Sequence, residues 1–486
     1  MMSKKTAGIF LALLLSLAAI EPIRSYDYFW HLATGRWIVE HHALPATDPF
    51  GVASERIPWI NGEWLFEIGL FVSHRVLGDG GWSIARGLFV GALFTFVFWV
   101  ASKRTSAAAA LLLTLVAWQG ADHRLGVRPE AAATFLLAAA IALLMSERTL
   151  RNAMSYALLA AVWMNVHPSA LLAPALAALW GIVVLAQRRG EWSGHAVAVF
   201  GSALALLVNP HGWRGVIAPI RLATLVRSGE FVNLEWLPSA PSVFPLLYLS
   251  FALGIALFAA NRERGAHLAP FLLFLFLAVL AARFLRNQGL FFAVMPMLLA
   301  PLMPRLDAHV ERWLLGAAAG VFLLGLLDAK LFRAGIDEEI FPVRSVARLA
   351  ESRLEGNIYN PDQFGGFLIW TFYPDRRVLT DGRNELYREY IVEYGRARGD
   401  SRLWNALLEK YDIALAVDEY REPIEVIDAT TGRSRKLPAS LAYYPRTRWA
   451  LIAYDEKAMV FANRDRHPAE TLARLEIRDV VPDSAR

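Results

Sequence analysis

Apolar segments recur through the first 334 residues of this 486-residue chain and constrain its fold more than any other feature. A helix that crosses the hydrocarbon of a bilayer needs about 20 mostly apolar residues, with a range of roughly 17–25. Several segments are shorter, and Pro or Gly lies in or beside many of them, which neighbouring helices tolerate. They predict an α-helical polytopic membrane protein with about 11 transmembrane helices, near residues 6–23, 82–101, 105–118, 130–146, 153–166, 168–187, 195–209, 242–260, 268–283, 288–303 and 312–328.

Charged residues divide the chain close to residue 335. From Met1 to Ala334 there are 26 Lys and Arg and 18 Asp and Glu, whereas Gly335 to Arg486 holds 23 and 26. The first part therefore holds 44 charged residues in 334 positions and is net +8. The second holds 49 in 152 positions and is net −3, so it is far more densely charged. We therefore predict a membrane domain over residues 1–334, with a large first outer loop at 24–81, and a soluble domain over 335–486.

Basic residues in short loops predict the orientation, because Lys and Arg are enriched in cytoplasmic loops. With Lys4 and Lys5 in the cytoplasm, alternation gives every inner loop a basic pair: Lys103/Arg104, Arg148/Arg151, Arg188/Arg189, Arg262/Arg264 and Arg305/Arg312. The chain is then a multi-pass protein of the cell inner (plasma) membrane, and residues 335–486 are extracytoplasmic. The excess positive charge is topological, so it does not predict a nucleic-acid partner. Residues 6–23 lack a small-x-small cleavage site before Glu21, which favours a retained span over a signal peptide.

The segment Trp64–Leu77 is apolar but only 14 residues long, and it contains Glu67, His74 and Arg75. Charges inside a bilayer are costly. Counting this segment as a span would also place all five later basic pairs outside the cytoplasm. We therefore predict an amphipathic helix that lies at the membrane interface.

The first outer loop combines aromatic side chains with candidate polar groups. Its aromatic residues are expected as an interfacial belt in any membrane protein. Asp27 differs, because a carboxylate just beyond the first span gains nothing from lipid, although a solvated loop aspartate is the alternative. The loop supplies one candidate catalytic residue, Asp27, and four candidate substrate-binding residues: His31, Arg36, Asp48 and Glu63.

The second outer loop, residues 119–129, is densely charged, with Asp122, His123, Arg124 and Arg128 close together. Arginines kept on the non-cytoplasmic side call for a partner, and an anionic ligand is the natural candidate. Arg grips phosphate well, because its planar fork donates two parallel hydrogen bonds. The alternative is an internal Asp/Arg network that seals the end of the helix bundle. We predict Asp122 as a second catalytic carboxylate and the other three residues as substrate-binding.

Other outer turns add candidate substrate-binding residues: His167, His211, Arg214, Arg283 and Arg286. Four histidines on one predicted side, together with carboxylates, could bind a divalent cation such as Mg²⁺ or Mn²⁺. Asp27, Asp122 and His123 are the candidate ligands, although no HxxxH or HExxH spacing supports them. The chain has no cysteine, which excludes disulfides, thiolate metal sites and thiol nucleophiles. With aromatics for a sugar and grooves for an acyl or prenyl chain, this face suits a lipid-linked phosphate donor.

This pattern resembles the GT-C superfamily of integral-membrane glycosyltransferases, which use polyprenyl-phosphate-linked sugars. The matching features are a large first outer loop opening with Asp27, an interfacial helix closed by Gly78-Asp-Gly-Gly81, and a second acidic residue, Asp122. The match covers roughly residues 1–330. The blocks DYFWHLATGR at 27–36 and Pro45-x-x-Asp48-Pro-Phe50 also look like a bacterial branch related to the mannosyltransferase-like group.

The resemblance implies a glycosyltransferase whose first-loop acidic residue is a general base, or a metal ligand near the acceptor, and whose basic residues hold the donor phosphate. By position, Asp27 is the base and Asp122 the second acidic residue. Arg124 and Arg128 are phosphate clamps by their chemistry. The implied reaction is a single inverting displacement, in which Asp27 takes a proton from an acceptor hydroxyl on a lipid, glycan or protein while the arginines stabilise the departing prenyl phosphate.

Some features depart from that superfamily. Tyr28 follows Asp27 where many mannosyltransferase-like members have an acidic pair, and the Trp-Trp-Asp-Tyr-Gly motif of oligosaccharyltransferases is absent. Asp381-Gly382-Arg383 is only superficially similar to that motif, so oligosaccharide transfer to asparagine is disfavoured. The alternatives are a transporter or flippase of an anionic or lipid-linked substrate, a polysaccharide ligase or polymerase, and a non-catalytic assembly protein. Against a transporter, no internal repeat with matching broken helices is present.

The soluble part alternates strand-like and helical segments, which predicts a small α/β structure. Strands are expected at residues 357–360, 367–372, 377–379, 413–417, 449–454 and 458–462, with helices over 343–353 and 384–409. Tyr454–Lys457 is typical of a hairpin turn, whereas Gly365-Gly366 alone is no phosphate loop. Either ordinary loop polarity or an approach to the active site accounts for a polar group comprising Tyr359, Asn360, Asp362, Asp381, Arg383 and Asn384.

Overall fold

The computed structural model of the chain describes residues 4–146, 149–187, 192–228, 234–304, 308–328, 333–427 and 434–484. The inner-loop residues Arg148, Arg188, Arg189 and Arg305 lie outside these ranges. The chain divides into two units: Met1–Ser25 with Ile60–Gly335, and Tyr26–Trp59 with Ile336–Arg486. The second boundary lies next to the change in charge density. The first part of the outer loop, which the sequence pattern assigned to the membrane domain, belongs to the C-terminal unit.

The first unit, called here the helical unit, consists mainly of helices. In chain order its helices are α1 (Lys4–Ala18), α3 (Trp64–Ser102), α4 (Ala107–Ala121), α5 (Pro129–Leu144), α6 (Leu150–Val166), α7 (Leu172–Ala186), α8 (Trp192–Ala205), α9 (Trp213–Ser228), α10 (Pro245–Ala260), α11 (Leu268–Arg283), α12 (Gln288–Leu299) and α13 (Ala308–Asp328). Helix α2 (Tyr28–His41) belongs to the second unit.

Every predicted span overlaps one of these helices. By length and composition, three helical stretches in the described residues could cross a membrane: Trp64–Ser102, Pro168–Ala186 and Arg264–Arg283. Pro129–Leu144 and Pro245–Ala260 are apolar but shorter. The difference from the predicted eleven arises because many predicted spans end in turns rather than in continued helix, which leaves helices of 12–17 residues. Helix α9 was not predicted, because Arg214, Arg221 and Arg227 interrupt its apolar pattern.

Close helix packing in this unit depends on small residues. A Cβ on Gly91 of α3 would lie 2.0 Å from the Ser16 hydroxyl of α1, and one on Gly87 would lie 2.4 Å from the Ser16 carbonyl. Small side chains let transmembrane helices approach to this distance. Every residue of α12 is buried, as expected for a helix that is apolar all round. Large apolar side chains on the outer surface, such as Leu158, Ile182 and Phe200, are exposed.

Helix α3 is interrupted at Gly78, which has φ +60° and ψ −175°. That conformation favours glycine, since it has no Cβ. The break separates residues 64–77, the predicted interfacial helix, from residues 79–102, which contain the second predicted span. At about 1.5 Å per residue, the first segment is roughly 21 Å long, shorter than the hydrocarbon core of about 30 Å. Its placement at the interface stays a prediction.

The second unit contains a four-stranded sheet in the order β1–β2–β6–β5. The strands are β1 (Asn357–Tyr359), β2 (Ile413–Glu419), β5 (Trp449–Tyr454) and β6 (Ala458–Asn463); β1 pairs parallel with β2, and the other pairs are antiparallel. A separate hairpin joins β3 (Ile424–Ile427) to β4 (Ser434–Leu437). Besides α2, the helices are α14 (Val343–Ser352), α15 (Asp362–Phe372), α16 (Arg388–Ala397), α17 (Ser401–Lys410), α18 (Ala439–Tyr443) and α19 (Ala469–Leu475).

Four of the predicted strands are present, and the hairpin turn at Tyr454–Lys457 joins β5 to β6. The prediction of a strand at residues 367–372 was wrong, because this segment lies in α15. Its apolar residues are buried on nearly all sides of the helix, so the sequence shows no alternation of apolar and polar residues with the period of a helix. Residues 377–379 contribute only isolated bridges through Val378. The predicted helix at 384–409 is divided into α16 and α17 by a turn.

Candidate functional site

Asp122 lies in a short 3-10 turn that follows α4 in the helical unit. Its carboxylate accepts a hydrogen bond from Arg86 Nη2 at 3.1 Å. The same nitrogen is 2.9 Å from the carboxylate of Glu21. Arg86 is buried, and its remaining nitrogens donate to the carbonyls of Ala19 and Leu125. Asp122 is therefore held in place by an arginine of α3 while a third of its side chain stays exposed.

Arg124 and Arg128 pair with two carboxylates of the same unit. Arg124 Nη2 lies 2.7 Å from Glu130, and its Nη1 lies 2.8 Å from Glu235. Arg128 contacts the same two carboxylates at 3.3 and 3.2 Å. Burial alone would raise the pKa of Glu235, but Arg128 and Arg124 outweigh that effect and lower it to about 2. These ion pairs form an internal network, which was the alternative to phosphate clamps in the sequence analysis. The arginines pair with Glu130 and Glu235, and Asp122 is not part of these pairs.

Arg286 adds a third guanidinium to this group. Its guanidinium lies 5.0 Å over the ring of Trp236, which is adjacent to Glu235. Its charge also helps to lower the pKa of Glu235. Among the described residues, no carboxylate pairs with Arg286. We call Arg124, Arg128, Arg286, Glu130 and Glu235 the arginine cluster; it holds three guanidiniums and two carboxylates. Arg283 is exposed at the end of α11.

His167 caps the turn between α6 and α7. Its Nδ1 accepts a hydrogen bond from the Ser169 amide at 3.1 Å, and its Nε2 lies 3.8 Å from Glu63. Burial, reinforced by the charge of Arg286, lowers the pKa of His167 to about 3, so the ring is neutral at physiological pH. His167 therefore lies beside Glu63 and within the field of the arginine cluster.

The remaining candidates of the helical unit lie farther from these groups or on its surface. His211 lies 3.1 Å from the carbonyl of Asn61, and burial lowers its pKa. Asn61 in turn donates to Glu67 at 2.5 Å, which fixes the start of α3. His123 is exposed, with its ring 6.2 Å from that of Phe244. Arg214 is exposed on α9, near its neighbour Trp213.

Asp27 belongs to the second unit and occupies the N-cap position of α2. Its side chain makes no capping hydrogen bond; it accepts one from Trp30 Nε1 at 3.1 Å. His31, on the next turn, is buried with its ring 3.5 Å from that of Trp30. Arg36 donates to the carbonyl of Tyr373 at 2.9 Å and lies 4.7 Å over the ring of Trp370.

Asp48 is 1% exposed and bound to the protein itself. It accepts from Arg383 Nη2 and the Tyr387 hydroxyl, both at 3.0 Å. Arg383 also pairs with Asp381 at 2.5 Å. Burial alone would raise the pKa of Asp48, but the charge of Arg383 and the hydrogen bonds from Ser54, Phe50 and Tyr387 together outweigh burial, so the pKa is lowered. We call Asp48, Asp381, Arg383 and Tyr387 the Asp48–Arg383 network. No open face of Asp48 is left for a substrate, so a substrate-binding role for it stays only a prediction.

No protein-family model and no curated protein matches the chain, but solved structures do. Archaeal oligosaccharyltransferase AglB from Archaeoglobus fulgidus, in complex with an inhibitory peptide and a dolichol-phosphate, matches with a TM-score of 0.62 at 10% identity, over 90% of this chain and 74% of that one. ArnT from Cupriavidus metallidurans, bound to undecaprenyl phosphate, matches with a TM-score of 0.55 at 14% identity, over 96% and 98%. In the apo state ArnT matches with 0.59 at 13%, over 97% and 98%. At 10–14% identity, these likenesses show the fold alone.

The chain has the GT-C fold. The predicted resemblance is thereby confirmed at the level of fold, as are a polytopic helical architecture and a C-terminal α/β domain. The fold and the apolar helices of this chain are those of an integral membrane protein. The match extends over both units, whereas the sequence resemblance covered only about residues 1–330.

Sequence reasoning missed two residues of the GT-C chain that support candidate groups. Arg86 lies inside a predicted span, and an ionisable residue there is by itself a signal of a functional or structural site. Trp30 was treated as part of an aromatic belt, although its indole N–H donates to Asp27. Asp381 and Arg383 were named in a polar group that either ordinary loop polarity or an approach to the active site would explain. Within the described ranges, no three or more His, Cys, Asp or Glu side chains are grouped to hold a metal ion. The divalent cation stays a prediction.

Proposed function

We propose that this GT-C protein transfers a sugar from a polyprenyl-phosphate-linked donor to an acceptor hydroxyl outside the cytoplasm, with inversion. The observation that carries the proposal is the charge of the arginine cluster, which exceeds that of its carboxylates by one guanidinium. Arg286 is the arginine of this cluster that forms no ion pair with a carboxylate of the described residues. Arginine binds phosphate with paired, charge-assisted hydrogen bonds, so a phosphate is the ligand that best completes this cluster.

Arg124 and Arg128 have a second role in this proposal. Their carboxylate partners hold both guanidiniums rigidly, so they present a fixed positive field rather than flexible arms. Neutral His167 adds no charge and places a ring nitrogen near Glu63. A preorganised field of this kind stabilises negative charge as it develops on a departing phosphate. We infer that Arg286 makes the direct contact and that the other two arginines orient the field.

Asp27 is the proposed general base. It lies at the N-terminus of α2, where a carboxylate is favoured by the helix dipole. In the proposed reaction the acceptor oxygen forms a bond to the anomeric carbon, the bond from that carbon to the phosphate oxygen breaks, and Asp27 takes the acceptor proton. The polyprenyl phosphate leaves with the electron pair. Asp122, fixed by Arg86, is proposed to bind acceptor or donor hydroxyls.

The lipid partners of the neighbours support the donor class: dolichol-phosphate is present with AglB and undecaprenyl phosphate with ArnT. For this chain the polyprenyl carrier, the inner-membrane location and the extracytoplasmic second unit are parts of the proposal. The proposed displacement balances in atoms and electrons without a divalent cation. Zinc and sulfate are present in one structure of the AglB neighbour.

The test uses full-length protein purified in detergent and a panel of polyprenyl-phosphate sugars, with loss of the sugar from the lipid as the readout. We expect turnover with at least one donor. Asp27→Asn should abolish turnover, whereas Arg286→Gln should weaken donor binding by about tenfold to a hundredfold, since hydrogen bonds to charged groups contribute roughly 1.5–3 kcal/mol.

Arg221→Gln is the matched control, because Arg221 is an exposed arginine of α9 outside the arginine cluster. It should bind and turn over donor as the wild type does. Full turnover by Asp27→Asn would overturn the assignment of the base. If intact lipid-linked sugar moves across the membrane of proteoliposomes and is not consumed, the proposed transferase function is wrong and the alternative, a flippase, is correct.

A further inference from the structure

Asp27 is supported from one side by its own helix. Its carboxylate does not cap the first turn of α2, although it occupies the position where capping is common. Instead, Oδ1 accepts a hydrogen bond from the indole N–H of Trp30, three residues later, at 3.1 Å. Trp30 is 7% exposed, so its ring is fixed by packing and its N–H points in a set direction.

A turn of the second unit approaches Asp27 from another side. A Cβ on Gly382 would lie 3.0 Å from Asp27 Oδ1 and 3.8 Å from Trp30 Nε1. Gly366 of α15 makes a similar approach, because its Cβ would lie 2.8 Å from the Tyr26 carbonyl. At Gly366 the close contact is with backbone and leaves no room for a side chain, whereas at Gly382 a methyl group would press on the Asp27 carboxylate. The backbone of the 381–383 turn therefore packs directly against the candidate base.

Arg383 holds that turn. Its Nε donates to Asp381 at 2.8 Å within the turn, and its Nη2 donates to Asp48 at 3.0 Å. Its guanidinium also lies 5.4 Å over the ring of Trp30 and 4.4 Å over the ring of Trp59. A planar guanidinium can stack on an aromatic ring while its edge donates hydrogen bonds. Arg383 thus links the Asp48–Arg383 network to the side chain that donates to Asp27.

We infer that Trp30 and the Asp381-Gly382-Arg383 turn fix the orientation of the Asp27 carboxylate, so that Trp30, Gly382 and Arg383 are positioning residues for the proposed base. This inference rests on the proposed function, since it concerns the same carboxylate. Orientation matters because a displacement of about 1 Å at a reacting group can cost on the order of a hundredfold in rate. The Asp48–Arg383 network then has a reason to be buried and hydrogen-bonded: it gives the turn one conformation.

Two substitutions distinguish a role in orienting the Asp27 carboxylate from a role in packing alone. Trp30→Phe keeps an aromatic ring under Arg383 and removes the N–H that donates to Asp27. Gly382→Ala keeps every hydrogen bond of the turn and adds one methyl group 3.0 Å from Asp27 Oδ1. For each variant we expect kcat to fall by about tenfold to a hundredfold, with the donor KM unchanged, because the donor phosphate is bound by the arginine cluster.

The controls are matched in chemistry. Trp37→Phe removes an indole from the same helix α2, and Gly395→Ala adds a methyl group at a glycine of α16 that has nothing within 4 Å of the new carbon. Both should keep the wild-type kcat. Thermal unfolding of all four variants in detergent should agree within about 4 °C, which corresponds to a small stability change.

The outcomes are distinguishable from failure of the proposed function. If Asp27→Asn is inactive while Trp30→Phe and Gly382→Ala keep the wild-type kcat, the positioning role is overturned and the base is retained. If both variants lower kcat and raise the donor KM in proportion, the turn supports donor binding instead, which also overturns the inference. Wild-type turnover by Asp27→Asn would overturn the base and the positioning role together.

Discussion

Both units contain buried arginines bound to pairs of carboxylates, but the balance of charge is opposite. The arginine cluster of the helical unit has three guanidiniums to two carboxylates. The Asp48–Arg383 network of the second unit has one guanidinium to two carboxylates. In the first, positive charge is left over. In the second, one arginine must neutralise two acids, and the Tyr387 hydroxyl, with a single proton to donate, lies within hydrogen-bond distance of both.

This difference shows how similar residues can have different roles. Burying an ion is costly unless it is paired and hydrogen-bonded. The Asp48–Arg383 network uses all of its cation internally, which suits a structural support. The arginine cluster keeps a cation beyond its internal needs, which suits binding of an anion. The balance of charge within a cluster, rather than its residue types, therefore distinguishes a structural network from a candidate binding site.

The largest expected effect is on stability and tests the Asp48–Arg383 network. Arg383→Ala leaves Asp48 and Asp381 buried without their cation, and breaking a buried ion pair typically costs about 3–5 kcal/mol. We expect a marked fall in the unfolding midpoint of the full-length protein and rapid proteolysis of the second unit. A midpoint equal to that of the wild type would mean that the two carboxylates are neutral or solvated, and the comparison between the units would fail.

The next effect tests the arginine cluster. Glu235→Gln removes a carboxylate that holds both Arg124 and Arg128, so more positive charge becomes available to a ligand. We expect undecaprenyl phosphate to bind about tenfold more tightly, equivalent to about 1.4 kcal/mol, by titration in detergent.

Glu263→Gln is its control, since Glu263 is an exposed glutamate outside the arginine cluster. It should leave the affinity for undecaprenyl phosphate unchanged. Weaker binding by Glu235→Gln would show that its carboxylate positions the arginines rather than competing with the phosphate.

A smaller effect is expected from pH. The pKa of His167 is lowered to about 3 in the folded protein, mainly by burial, whereas an unfolded histidine titrates near 6.5. The unfolded chain therefore gains a proton below pH 6.5 that the folded chain does not bind, and stability falls as the pH is lowered. Between pH 7.5 and pH 6.0 this one residue should cost about 0.8 kcal/mol. Comparing unfolding of the wild type and His167→Gln at both values measures it; an identical pH dependence would show that His167 is solvated or protonated.

The smallest expected effect is that of an exposed ion pair, which serves as a reference for the arginine cluster and the Asp48–Arg383 network. Arg348 pairs with Glu351 at 3.1 Å, and both side chains are mostly exposed. Surface ion pairs typically contribute about 0–1 kcal/mol. Arg348→Ala should therefore change the unfolding midpoint far less than Arg383→Ala does. Comparable losses for the two variants would remove the distinction between the buried and the exposed pairs.

Much of the fold could be predicted from local pattern. Apolar length located a helix for each of the predicted spans, and Gly78 marked the break in α3. Strands β1, β2, β5 and β6 were recognisable because turn residues bound them. Helix α2 and the 367–372 part of α15 were not, because their residues are buried on several sides and show neither helical nor strand periodicity.

The candidate site was predictable only in part. Arginines on the non-cytoplasmic side drew attention to Arg124, Arg128 and Arg286, and the second residue of each ion pair was not identified. Glu235 lies more than 100 residues from Arg124, and Asp48 lies more than 300 residues from Arg383. No local spacing relates such residues, so their pairing follows from the fold and not from a motif.

The sequence by itself determined that this chain is a helical membrane protein with a charged C-terminal domain, because apolar length and charge density act locally and need no partner. Only the tertiary structure decided which charges are used up within the protein. Asp48 belongs to a buried support, Arg86 holds Asp122, and Arg286 forms no ion pair with a carboxylate in the part of the chain that the structure describes. The physical reason is that the effect of a charge depends on its distance to other charges and on its burial, and both are set by residues far away in the chain.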